Sequence, residues 1–289
     1  MNKARVAEIL KLILKVSVSV ILLYLISVKI NFKEVIALLL NSNVYYIILA
    51  LALYLISVFI ASWRNLILLK AIGAALPVGA NFRLYMVGLF YNFFIPGGIG
   101  GDAYRIYYLK KKFVLPTKRL FLAMLFDRLS GFWAICLLAV LLFLCIPVLT
   151  VAWYLPPLVF LSSTVIYFFL MRRFFYDYST NFLRLHFRAF LVQSLQMLTV
   201  VSILLSQNFH GKYPPYLFSF LLSTLSAYVP ISFSGIGTRE YVMTHIAGFF
   251  GIDPALAVFL TVSFFLVSAF TALSGLLFFY RRSLISTMK

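Results

Sequence analysis

The sequence predicts an all-α polytopic membrane protein, with six full transmembrane helices and two re-entrant helical hairpins arranged as an inverted-topology repeat. Three observations carry that expectation. The first is composition: of 289 residues, 64% are apolar and 11% charged, against about 45–50% and about 25% in a soluble domain. A chain this apolar has more greasy surface than one water-facing core can hide, so the bilayer must act as its solvent. Its hydrophobicity, with only 14 Gly and 10 Pro, also excludes a disordered or collagen-like chain. The second observation is the length of the apolar runs, and the third is a nearly constant spacing between two Gly-rich interruptions.

Six runs are long enough to cross about 30 Å of hydrocarbon, which takes roughly 20 helical residues. They cover 8–28, 44–69, 119–146, 151–171, 187–206 and 254–280. The basic N-terminus runs into 8–28 without a small-residue cleavage site, which reads as a retained span rather than a signal peptide. Two further regions, 82–95 and 216–231, run into Gly/Pro-rich turns and resume as short helices at 102–109 and 238–250. Each piece is too short to cross alone. Short, interrupted hydrophobic segments mark re-entrant or broken helices, which survive in a membrane when buried in protein or lining a cavity.

The charges test the parse independently. With a cytoplasmic N-terminus and two returning hairpins, twenty of the 25 Lys and Arg fall on the cytoplasmic side, including Lys70, Lys110, Lys111, Lys112, Arg172, Arg173, Arg184 and Arg188, as the positive-inside bias requires. Making 82–95 a full span would put Lys110 to Lys112 outside. The expected localisation is therefore the cell membrane, multi-pass, with both termini cytoplasmic. The net charge of +18 is thereby accounted for without nucleic acid. Cys136 and Cys145 lie on opposite faces of one run and cannot pair. The three histidines are scattered singly, so neither a metal nor a cofactor is expected.

Aligning Gly98-Ile99-Gly100 with Gly235-Ile236-Gly237 fixes an offset of 137. Added to the first three spans, it predicts segments near those found at 151–171, 187–206 and 254–280. The chain thus divides into a single membrane domain of two inverted repeats, 1–146 and 147–289. Opposed hairpins of this kind build one site reachable from either face, as in many secondary transporters. Pro96, Gly97, Gly98, Gly100, Gly101, Pro230, Gly235 and Gly237 form the predicted turns, whose helix N-termini favour phosphate.

Charged side chains within the membrane are costly and usually pair or face a cavity. Asp102, Arg105, Asp127, Arg128, Arg239 and Glu240 are such residues, and their charges sum to zero. Arg64 makes the set +1, which suits an anionic guest. Asp102 and Arg105, three apart, sit on neighbouring helix faces. For Asp102 and Thr238 a second role is open, that of helix cap. Gly98–Ala103 also fits G-x-G-x-x-A, but no strand or βαβ unit surrounds it, which excludes a dinucleotide site.

The stretches SWRNLILLKAIG (62–73), LFYNFFIPGGIGGDAYRIYYL (89–109), LFDRLSGF (125–132) and YVPISFSGIGTREY (228–241) resemble the lysylphosphatidylglycerol synthase transmembrane-domain family, in its motif order and over essentially the whole chain. The resemblance rests on Asn92, Pro96, Gly97, Gly101, Asp102, Arg105, Asp127, Arg128, Gly235, Gly237, Arg239 and Glu240. This chain has Asp at 102 and 127 where many relatives carry Glu. The resemblance implies lipid handling: in the fused enzymes this domain translocates aminoacylated phosphatidylglycerol made by a soluble domain. The chain ends nine residues after the last predicted span, so synthase activity is not expected.

The sequence-based expectation is a flippase or scramblase for a phosphate-bearing lipid: a phospholipid, an aminoacyl-phosphatidylglycerol or a polyprenyl-phosphate. Arg64, Asn92, Asp102, Arg105, Asp127, Arg128, Arg239 and Glu240 would form the substrate site, with no catalytic residue. The alternative is a membrane-embedded transferase or hydrolase acting on a lipid-linked substrate, with Asp102, Asp127 or Glu240 as general base. Expected partners are the lipid itself, with a homo-oligomer or a separately encoded lipid-modifying enzyme beside it.

Overall fold

The computed structural model describes residues 32–94, 99–146, 152–226 and 237–280, and among them eleven helices and no strand. These are α1 (Phe32–Leu40), α2 (Val44–Ala71), α3 (Val78–Phe94), α4 (Gly100–Phe113), α5 (Thr117–Phe143), α6 (Leu155–Phe174), α7 (Tyr176–Ser179), α8 (Phe182–Leu205), α9 (Tyr213–Ser226), α10 (Thr238–Phe250) and α11 (Pro254–Tyr280). Helices α2, α5, α6, α8 and α11 are long and apolar enough to cross a membrane, so the chain is a multi-pass membrane protein. The predicted first span, 8–28, lies outside the described residues, as do Pro96, Gly97, Gly98, Pro230 and Gly235.

Local signals fix the helix ends. The Asn43 side chain accepts the Tyr45 N–H at 3.0 Å and so starts α2, the usual work of an N-cap. Asp253 does the same for the Ala255 N–H at 2.8 Å, with Pro254 as the first residue of α11. Gly251, at φ +60°, ends α10. Most helix bounds shift by a few residues from the sequence expectation, and two differences have a clear cause. Helix α8 begins at Phe182 rather than 187 because Leu185, His186 and Ala189 are buried while Arg184 stays exposed; the charge masks the helix in a hydropathy reading. Helix α1 occupies what the sequence presents as an outer loop. It buries Val35 and packs on α11.

The central pair is α2 and α8, packed antiparallel along their whole length. The Asn43 N–H donates to Ser206 O at 2.9 Å at one end. The Ser202 hydroxyl donates to Tyr46 O at 2.7 Å, and Arg188 Nη1 donates to Trp63 O at 2.9 Å near the other end. Two apolar clusters stack along this pair. One gathers Tyr54, Val58, Ile203 and Leu204 with α9, α10 and α11. The other gathers Leu66, Leu68 and Leu185 with α4 and the first turns of α5. Helix α3 packs on α4 and α11, while α9 packs on α10 and α5. Buried hydroxyls such as Ser57, Thr199 and Thr271 donate to carbonyls three or four residues back on their own helix, so these small polar residues permit close packing while staying hydrogen-bonded.

The two ends of the bundle differ in charge. The Tyr178 hydroxyl donates to Arg119 O at 2.9 Å, tying the start of α5 to α7, and Lys70 closes α2 at the same end. At the other end Gln207 donates to Leu38 O at 2.8 Å and to the Ser42 hydroxyl at 2.7 Å.

Candidate functional site

Helix α5 brings two consecutive charges to neighbouring helices. Arg64 Nε of α2 lies 2.8 Å from Asp127 Oδ1, both side chains less than one-tenth exposed. One residue on, Arg128 reaches α4, where Nε and Nη2 each lie 2.7 Å from Asp102 Oδ2. The other Asp102 oxygen is 3.3 Å from Arg105 Nη1, the contact expected of residues three apart on a helix. Asp102 is therefore no helix cap: its carboxylate bridges two guanidinium groups. The five side chains carry three positive charges and two negative ones, so the cluster keeps the single excess cation read from the sequence.

Tyr85 of α3 joins the two pairs. Its ring lies under the Arg105 guanidinium, 4.7 Å from ring centroid to Cζ, within electrostatic reach of Arg64, Asp127 and Asp102. Arg105 is 4% exposed, and among the described residues its Nη2 has no hydrogen-bond partner. Asn92 holds the start of α4, since its Oδ1 accepts the Gly101 N–H at 2.8 Å. Gly101 belongs to the first turn of α4 and abuts α3 so closely that a Cβ would lie 1.8 Å from Gly88 O. Only a residue without Cβ fits there.

The other half contributes α10. Gly237, at φ +85°, is its N-cap, so Thr238 is the first helical residue and not the cap. Glu240 is buried and its Oε2 accepts the Gly237 N–H at 2.8 Å, which ties it to the helix start. Arg239 instead lines a cavity of about 250 Å³, whose wall also includes Arg64, Tyr54, Tyr85, Gln193 and Thr224. The cavity lies against the first apolar cluster, whose Tyr54, Val58, Ile135 and Phe264 line it, between residues 54–64 of α2 and 192–196 of α8.

The predicted site residues thus separate into three groups. Arg64 and Asp127 form one ion pair, and Arg105, Asp102 and Arg128 form a second group on α4 and the next residue of α5, with Asn92 at the start of α4. Arg239 and Arg64 line the same cavity, and Glu240 shapes its own helix end. Sequence reasoning did not find Tyr85, Gln193, Gln196 or Thr224, which carry no spacing signal within apolar runs. No group of three or more His, Cys, Asp or Glu suited to a metal occurs among the described residues.

Comparison with known proteins gives two findings. A family profile described as "Lysylphosphatidylglycerol synthase TM region" matches residues 12–275. A UPF0104 membrane protein of Methanocaldococcus jannaschii is 31% identical over 112 residues, 38% of this chain and 33% of the relative. The aligned segment thus spans about a third of that relative's length.

Proposed function

The chain belongs to the lysylphosphatidylglycerol synthase TM region family, and from that membership we propose that it is a flippase or scramblase moving a phosphate-bearing lipid between the leaflets of the cell membrane. The observation that carries this reading is the cavity walled by both Arg64 and Arg239. A lipid that changes leaflet must bring its phosphate through hydrocarbon, where an isolated charge is costly. A polar chamber with a guanidinium contributed by each of two helices offers charge-assisted hydrogen bonds to that phosphate while the acyl chains stay in lipid. Asp127 and Asp102 balance the cations when the chamber is empty. Arg105 and Arg128 receive a headgroup at the edge of the cluster.

In this reading 1–146 and 147–289 are inverted repeats, and α3–α4 and α9–α10 are the re-entrant hairpins. Shifting α5 by 137 residues gives 254–280, the bounds of α11, and shifting α4 gives 237–250 against an observed 238–250. The reciprocal packing of α3 on α11 and α9 on α5 supports the same symmetry. So do the lengths of the four hairpin helices, 17, 14, 14 and 13 residues, all short of a span. Arg64 and Arg239 then come from different halves, and a relative tilt of the halves opens the cavity to one leaflet or the other. The basic end of the bundle and both termini are cytoplasmic. A homo-oligomer or a separately encoded lipid-modifying enzyme is the proposed protein partner, and the substrate is a phospholipid, an aminoacyl-phosphatidylglycerol or a polyprenyl-phosphate.

The test is leaflet exchange of fluorescent phosphatidylglycerol by the purified protein in vesicles. Arg239→Ala is expected to slow exchange about tenfold or more, as for loss of a charged hydrogen bond worth about 1.5–3 kcal/mol, with partial recovery in Arg239→Lys. Exchange unchanged in both variants overturns the site assignment.

A further inference from the structure

A second concave site, sharing no lining residue with the central cavity, lies on the same helix pair. It is a groove of about 350 Å³ between the last turns of α2 and the first turns of α8, lined by Trp63, Lys70, Asn181, Arg184 and Arg188 among others. Three of its side chains are cationic, and no carboxylate is among its lining residues. The positive-inside bias accounts for basic residues at this end of the bundle. It does not account for their convergence from two helices into one concavity.

Two features of that convergence are unfavourable without an occupant. Arg184 and Arg188 are four residues apart on α8, where like charges repel. Arg184 also stands in the first turn of α8, the end at which the helix dipole disfavours a cation. Arg188 is held in place: its Cζ lies 3.9 Å from the centroid of the Trp63 ring, and Nη1 donates to Trp63 O at 2.9 Å. Trp63 is 44% exposed, in the manner of an interfacial tryptophan with one side in lipid and one against polar groups. An anion between Lys70, Arg184 and Arg188 relieves both repulsions. Basic pockets between transmembrane helices at a membrane surface bind phosphate headgroups in this way.

We propose that this groove is a phosphate-binding site at the membrane interface, separate from the central cavity, and that its ligand is the headgroup of an anionic phospholipid or a free phosphate. Lys70 and Arg184 bind the phosphate, and Arg188, fixed on Trp63, orients it. The site does not depend on the transport reading.

The experiment titrates the purified full-length chain in detergent with phosphatidylglycerol and counts bound lipid by native mass spectrometry. It is run in the natural sequence and in Arg239→Ala, so that binding in the central cavity is subtracted. Lys70→Gln/Arg184→Gln, with Arg188 left in place, is expected to weaken binding of one lipid about tenfold, while Lys70→Arg/Arg184→Lys retains it. Lys70→Gln alone, a change at an exposed helix end, is expected to give a smaller loss in the same direction. Retention of the lipid under excess sodium phosphate identifies a headgroup site, and displacement identifies a site for free phosphate. Titrations that superimpose for the natural chain, the double variant and Lys70→Gln overturn the proposal.

Discussion

Asp127 and Arg64 show what a bilayer demands of a single charge. Each is removed from solvent and the two pair at 2.8 Å, so replacing either one takes a buried ion-pair partner from the other. Asp127→Asn is expected to destabilise the protein by about 3–5 kcal/mol, the usual cost of breaking a buried pair by removing one member. Thermal unfolding in detergent checks this. The double variant Arg64→Leu/Asp127→Leu is expected to recover most of that loss, because two apolar side chains need no partner, while losing the cation that faces the cavity. Asp102 differs: of its two partners, Arg128 is 40% exposed, so solvent or headgroups can take over that bond, and the contact to buried Arg105 is the longer one, at 3.3 Å. Asp102→Asn is accordingly expected to lower the unfolding midpoint less than Asp127→Asn in the same assay.

At the scale of helices, glycine decides how close two elements come. Helix α3 is approached on one side by Gly101 of α4 and on another by Gly275 of α11, where added Cβ atoms would lie 1.8 Å from Gly88 O and 2.4 Å from Met86 O. Both obstacles are backbone, so neither can swing aside. Gly101→Ala and Gly275→Ala are expected to force α3 away from its neighbours, with loss of folded yield after detergent extraction. Gly79→Ala on the same helix meets nothing within 4 Å and is expected to be neutral or slightly stabilising, since Ala favours a helix over Gly. The spacing of Gly98 and Gly100 marks the interruption in sequence. The need for glycine at 88, 101 and 275 follows from helix crossings, which no local pattern records.

For the whole molecule, the antiparallel α2–α8 pair orders everything else, because its hydrogen bonds fix which ends lie together. Lys70 and Lys111 are expected on one side of the membrane and Lys212 on the other. After replacement of Cys136 and Cys145, single cysteines at these positions should react with a membrane-impermeant maleimide in that pattern, Lys212→Cys from outside intact cells and the other two only after lysis. Labelling of Lys111→Cys from outside would remove the re-entrant reading of α3–α4, since that lysine changes side if α3 spans.

Apolar length and charge placement by themselves determined that this chain lives in a membrane, where five of its spans run, where the short helices interrupt, and which charged residues had to be explained. Those properties depend on transfer from water to hydrocarbon, which each segment undergoes on its own account. Tertiary structure alone decided the partners: Arg64 with Asp127 across 63 residues, Asp102 between two arginines, Glu240 turned back onto its own helix, and Arg239 beside Arg64 at a common cavity. It also gathered Lys70, Arg184 and Arg188, alike in sequence to the other basic residues of that end, into one groove. Pairing depends on where distant helices cross, and hydrophobic burial is too indifferent to side-chain identity for a single sequence to declare those crossings.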